Sequence, residues 1–144
     1  MVSRDKELGR FLIIDLRRLP TKNLNEDIDW IARCFGFLET RDGAQTAARI
    51  FKTLLNSTKE GDGLTSDELA EKVGVTRGAI IHHLNKMMNS GLIIIQSGQY
   101  KLRGRSLRRT VVEVRLDLIR VLEKIEDIAS CIDDELNLPY RETQ

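Results

Sequence analysis

The sequence predicts a mainly α-helical chain built from several short helices, one β-hairpin and a single long C-terminal helix. Three observations carry that expectation. Most of the 144 residues show apolar positions at helical spacing, with only two prolines to interrupt them. Two five-residue runs flank Ser97-Gly98, a two-residue hairpin turn. From Leu107 to Leu136 the apolar residues recur in a heptad-like pattern without a break.

Taken in chain order, Leu8, Phe11, Leu12, Leu16 and Leu19 follow helical spacing over residues 4–19, although Phe11-Leu12-Ile13-Ile14 also reads as a strand. Pro20 closes this segment. Ile28, Ile31, Ala32, Phe35 and Leu38 make a helical stripe over 24–39, with Trp30 off the stripe and available to a partner. Ala47, Ile50, Phe51, Leu54 and Leu55 do the same over 44–57, bounded by Asp42-Gly43 and Gly61-Asp62-Gly63. Thr65 with Glu68 forms a capping box for a short helix that Gly74 ends. Thr76 caps a second helix running to about Ser90, with Gly91 as its stop. Only Gly74-Val75-Thr76 separates the two, which is the spacing of a helix-turn-helix. Strands at 92–96 and 99–103 follow directly, as a wing does.

The charge is segregated. The chain carries a formal +1, yet no Asp or Glu occurs between Lys72 and Val112. That stretch holds Lys72, Arg77, Lys86, Lys101, Arg103, Arg105, Arg108 and Arg109, a local +8 that leaves −7 for the rest. A basic middle between acidic ends fits a surface that faces a polyanion.

The segment from Ser66 to Arg105 resembles winged helix-turn-helix transcription regulators, especially the ArsR- and MarR-like groups. The resemblance is carried by Leu69-Ala70, Gly74-Val75-Thr76, the Ile80 to Leu84 run, and Ser90-Gly91-Leu92-Ile93 leading into the hairpin. It covers roughly 45 residues. It implies a three-helix core plus wing, with base contacts at the N-terminal end of the second helix. The expected domains are an N-terminal helical extension (1–43), a winged helix-turn-helix (44–105) and a coiled-coil-like dimerisation arm (106–144).

Helical geometry puts Ile80, Leu84 and Met87 on the face that packs on Leu69 and Val73. Gly78, Ile81, His82 and Asn85 face away, with Lys86 beside them. The expected DNA-binding residues are therefore Thr76, Arg77, Gly78, Ile81, His82, Asn85 and Lys86. Arg77 suits a guanine or a phosphate, and Asn85 suits an adenine. Ile81 either touches a thymine methyl or is covered by the N-terminal helices, while His83 borders the core. Lys101, Arg103 and Arg105 of the wing are expected to hold phosphates, with Gly104 permitting close backbone approach.

The seam of the long helix is Val111, Val114, Leu118, Val121, Ile125, Ile128 and Ile132, widened by Leu122, Ala129 and Leu136. A long helix with an apolar seam needs a cover. Either a second copy supplies it or the chain's own N-terminal helices do, and a homodimer is the expectation adopted. Neither parallel nor antiparallel packing is specified by the pattern.

The resulting expectation is a sequence-specific, double-stranded DNA-binding transcriptional regulator that occupies an operator as a dimer. The alternatives are a protein-interaction module and a nonspecific, chromatin-type DNA binder. No catalytic residues, cofactor or metal site are expected: the Gly61-Asp62-Gly63 turn lacks the Lys-Ser/Thr of a phosphate loop, and the first helix of the pair lacks a Cys-x-Cys. Cys131 reads as a small buried apolar residue. No apolar run approaches the ~20 residues of a membrane span, and neither the N-terminus nor two isolated cysteines suggest export, so a cytoplasmic location is expected.

Overall fold

The computed structural model describes residues 6–18, 23–36 and 41–139. Five helices and one hairpin follow in order: α1 (Leu24–Cys34), α2 (Arg41–Thr58), α3 (Ser66–Val73), α4 (Arg77–Asn89), β1 (Ile93–Gln96), β2 (Gln99–Leu102) and α5 (Leu107–Leu136). This is a winged helix-turn-helix with an added N-terminal helix and a long C-terminal one.

Local chemistry sets most boundaries. Thr65 Oγ1 accepts the Glu68 N–H at 3.1 Å, and Glu68 Oε1 accepts the Thr65 N–H at 3.2 Å, so two otherwise orphaned donors at the start of α3 are satisfied. Gly74 ends α3 in the left-handed region at φ 79°. Thr76 Oγ1 accepts the Ala79 N–H, and Ser106 Oγ accepts the Arg109 N–H, capping α4 and α5. At the hairpin, Ser97 and Gly98 both have positive φ (51° and 77°), the signature of the type I′ turn whose twist matches its strands.

β1 and β2 pair antiparallel, with Ile93 opposite Leu102 and Ile95 opposite Tyr100. Leu64 adds an isolated bridge to Tyr100 through two backbone hydrogen bonds of 2.9 and 2.7 Å. That bridge ties the α2–α3 loop to the wing. A Cβ on Gly63 would lie 2.9 Å from the Tyr100 carbonyl oxygen, so only glycine fits there.

One core joins these elements. Ile50, Phe51 and Leu54 of α2 meet Leu69 and Val73 of α3, Ile80, Leu84 and Met87 of α4, and Leu92, Ile93, Tyr100 and Leu102 around the hairpin. Ala32 of α1 and Val114 of α5 belong to the same cluster.

Several sequence expectations are corrected. Residues 6–18 form neither helix nor strand. The segment instead runs irregularly, with the Arg10 N–H on the Asn89 carbonyl (3.2 Å) and the Ile14 N–H on the Cys34 carbonyl (2.8 Å). These bonds fasten it to the ends of α4 and α1, and an isolated helix this short is marginal in water. Leu19, Pro20 and Leu38 lie outside the described residues. Asp42-Gly43 does not break the chain, because α2 begins at Arg41. A glycine in the first turn forfeits little, because the leading N–H groups of a helix have no intrahelical partner. Cys131 is exposed rather than buried, because the second half of α5 runs beyond the core.

Candidate nucleic-acid interface

α4 is amphipathic in the manner its sequence requires. Ile80 and Leu84 are fully buried and Met87 nearly so, which fixes the helix against α3. The opposite face presents Gly78, His82, Asn85 and Lys86, all exposed. A Cβ built on Gly78 would meet nothing within 4 Å, so the first turns of α4 have open space in front of them. Near the other end, residues 9–12 border a cleft that Lys86, Asn89 and Ser90 also line. The least encumbered part of α4 is therefore its N-terminal turns.

Each remaining α4 residue has a defined setting. Thr76 is the cap and is exposed. Arg77 donates from Nε to Ser66 Oγ at 3.2 Å and sits 3.7 Å from Asp67, an exposed pairing that holds the guanidinium at the mouth of the α3–α4 turn. Ile81 is half-buried against the core, so most of its apolar surface is already used. His82 and His83 meet edge to face at 5.5 Å. Burial first, then the neighbouring His82 and Lys86, lowers the His83 pKa from the ordinary imidazole value, favouring the neutral ring.

Residues 52–94 match the winged helix-turn-helix DNA-binding family. The matched segment begins in α2, contains α3 and α4 and ends in β1. It covers α4 and the helix packed against it but stops before the second wing strand and α5. No curated protein and no solved structure was found to match the chain. The winged helix is a DNA-binding domain type, and no helix among the described residues is long and apolar enough to cross a membrane.

The wing of this winged helix departs from the expected arrangement at two residues. Arg103 does not extend towards solvent. Its guanidinium makes a two-pronged pair with Asp117 of α5, one prong from Nη2 to Oδ1 at 3.2 Å, and lies 3.9 Å from Glu113. Both side chains are largely buried, at 25% and 19% exposure. Gly104 does allow close approach, but the approaching group is the start of α5. A Cβ there would stand 2.9 Å from the Thr110 nitrogen, and the Gly104 N–H donates to Thr110 Oγ1. Arg103 and Gly104 thus lock the hairpin onto α5 and are not free for phosphate. Lys101 is half-buried and Arg105 exposed, and both line a cleft with Glu60 and Asp62. Acids absent from the basic stretch in sequence are brought beside it by folding.

That lock has a pH signature. Hydrogen bonding from Arg103 holds the Asp117 pKa below its ordinary value, with the nearby positive charges of Arg103 and Arg120 adding to the effect. A carboxylate with a depressed folded pKa contributes stability that is complete above its unfolded value, about 3.9, and lost as pH falls through the folded value. Asp117→Asn is expected to cost about 1–2 kcal/mol at pH 7. In urea titrations the gap to the parent should close as pH drops below about 4. A gap unchanged from pH 7 to pH 2.5 would show that the pair contributes nothing through its charge.

The proposed seam of α5 also divides. Val114 is 2% exposed within the chain's own core, and Leu118 is packed against that core. Val114 is therefore unavailable to a second copy, which corrects its place in the seam. Val111 (37%) and the half-buried Val121 border the transition. Ile125, Ile128 and Ile132 are half-exposed or more, as are Leu122 and Leu136. Of the two covers anticipated for the seam, the chain's own core takes the first turns, and the later turns remain open.

Proposed function

We propose that this chain is a sequence-specific, double-stranded DNA-binding transcriptional regulator that occupies an operator as a homodimer. The single observation that carries the proposal is the open outer face of α4 within the segment similar to DNA-binding winged helices. Such a helix enters the major groove by its N-terminal end. Arg77 and Asn85 are the base-reading candidates, with His82 and Lys86 beside them. Thr76, Lys101 and Arg105 supply phosphate contacts, and Gly78 lets the helix approach closely. Ile81 offers only its exposed edge to a thymine methyl. Arg103 positions the wing instead of touching DNA.

The dimer follows from the uncovered later turns of α5. Two copies would present two α4 helices to half-sites one helical turn, about 34 Å, or a multiple apart. The terminal helix outside the reading head supports placing the chain near ArsR- and MarR-like regulators. Its operator action would be to block or recruit transcription at a pseudo-palindromic site.

Selection of duplexes from a random pool tests this proposal. An enriched pseudo-palindrome is expected, and Arg77→Ala or Asn85→Ala should relax the choice at one position per half-site by about 1–3 kcal/mol. Duplex binding without enrichment would replace the proposal with a nonspecific binder. A monomer with no DNA affinity at low salt would replace it with a protein-interaction module.

A further inference from the structure

The later turns of α5 carry two features that one arrangement satisfies together. The first is apolar. Leu122, Ile125, Ile128, Ile132 and Leu136 are 60, 59, 62, 51 and 63% exposed, on a helix that has left its own core behind. Beside the earlier turns lies an apolar groove of about 550 Å³, lined by Ile13, Leu16, Trp30, Ile31, Val111 and Leu118 among others, with Arg115 at its edge.

The second feature is charge. Residues 123–135 hold Glu123, Glu126, Asp127, Asp133, Asp134 and Glu135 against Lys124 alone. Residues 107–120 hold Arg108, Arg109, Arg115 and Arg120, while their acids Glu113 and Asp117 already pair with Arg109, Arg103 and Arg120. Arg108 and Arg115 are seven residues apart, Glu126 and Asp133 are seven apart, and Arg115 and Glu126 are eleven apart. Spacings of seven and eleven are close to whole numbers of turns at about 3.6 residues each. All four therefore stand on one flank of the apolar stripe, basic in the first half and acidic in the second. No ion pair among the described residues engages them.

The geometry points to an antiparallel pairing of α5 with α5 of a second copy, in which the acidic half of each helix lies along the groove beside the basic half of the other. This rests on the dimer proposed above and specifies its interface. A twofold axis near residues 120–121 sets Arg115 opposite Glu126 and Arg108 opposite Asp133 at the same time. In the same register Val111 enters between Ala129 and Ile132 of the second copy, and Leu118 between Leu122 and Ile125. A parallel pairing would instead stack the two acidic halves on each other, where like charges repel.

Cysteine cross-linking tests it. In a chain carrying Cys34→Ser and Cys131→Ser, Arg115→Cys and Glu126→Cys are prepared separately, then mixed and treated with a short thiol-reactive linker. Cross-linked heterodimers are expected, with neither variant linking to itself. Self-linking of each variant in a chain of dimer mass would overturn the antiparallel arrangement while leaving the dimer. A monomeric mass at all concentrations would overturn both, and would leave the groove to a different molecule. As a second readout, Glu126→Arg with Asp133→Arg should raise the dimer dissociation constant at least about tenfold, since the twofold axis repeats each pair and tenfold, about 1.4 kcal/mol, asks only about 0.35 kcal/mol of each of the four exposed pairs. Mixing with the Arg108→Glu, Arg115→Glu chain should restore association. An unchanged constant would overturn the ion pairing.

Discussion

Gly78→Glu is expected to abolish duplex binding while making the folded chain slightly more stable. The two effects have opposite signs because they live on different links of the same residue. In the free protein, a side chain at Gly78 enters open space, so it meets no steric obstacle. Replacing a helical glycine by a residue with less backbone freedom gains about 0.5–1 kcal/mol. A carboxylate in the first turn of α4, which has no acid there, gains a few tenths more from the helix dipole. In the complex, that same carboxylate would face the phosphates and base edges of the groove. Like-charge juxtaposition at an interface costs several kcal/mol. The measured result should be at least a hundredfold loss of affinity at fixed salt, with a raised unfolding midpoint. Unchanged DNA affinity in a folded Gly78→Glu chain would remove α4 as the reading element.

Phe51→Ala is expected to produce the largest loss of stability, about 3–5 kcal/mol. Phe51 is fully buried in α2, where that helix packs on α1, α3 and β2. Removing the ring opens a void at the junction of the elements that hold α4 and the wing in their relative positions. Packed elements on three sides, two helices and a strand, limit collapse into the space, so both the transfer and the cavity contributions should appear. Urea unfolding at neutral pH would give the value from a shifted midpoint at nearly constant slope. A loss below about 1 kcal/mol would mean that the site relaxes, and that α2 is not the centre of the core.

Much of the fold was legible because the signals are local. The Thr65–Glu68 capping box, the left-handed Gly74, the Thr76 cap and the Ser97-Gly98 turn each act within four residues of chain. The buried faces of α2, α3 and α4 follow from helical spacing for the same reason. The outer face of α4 was equally readable, since once Ile80, Leu84 and Met87 are fixed inward the others must face out. The N-terminal segment was misread because its apolar spacing suits a helix, whereas its hydrogen bonds go to the Asn89 and Cys34 carbonyls on distant elements.

The wing shows the same division more sharply. Alternation along β2 sets Tyr100 and Leu102 on one face of the strand, and both are buried. Nothing in that alternation identifies the partner of Arg103, since Asp117 lies 14 residues on, in a different element. The bridge from Leu64 to Tyr100 was likewise invisible, for the α2–α3 loop carries no strand pattern of its own.

By itself the order of residues determined α3, α4 and the hairpin with their caps and turn, the inward faces of α2, α3 and α4, and the separation of basic from acidic stretches. These depend on interactions within a few residues, where spacing alone fixes which groups meet. Only the packed chain decided that Arg103 serves α5, that Val114 belongs to the core while Ile125 to Leu136 stay open, and that Glu60 and Asp62 stand beside the wing. Those outcomes depend on the angles at which separate elements cross, and such angles are set by how side chains from the whole core fill space together.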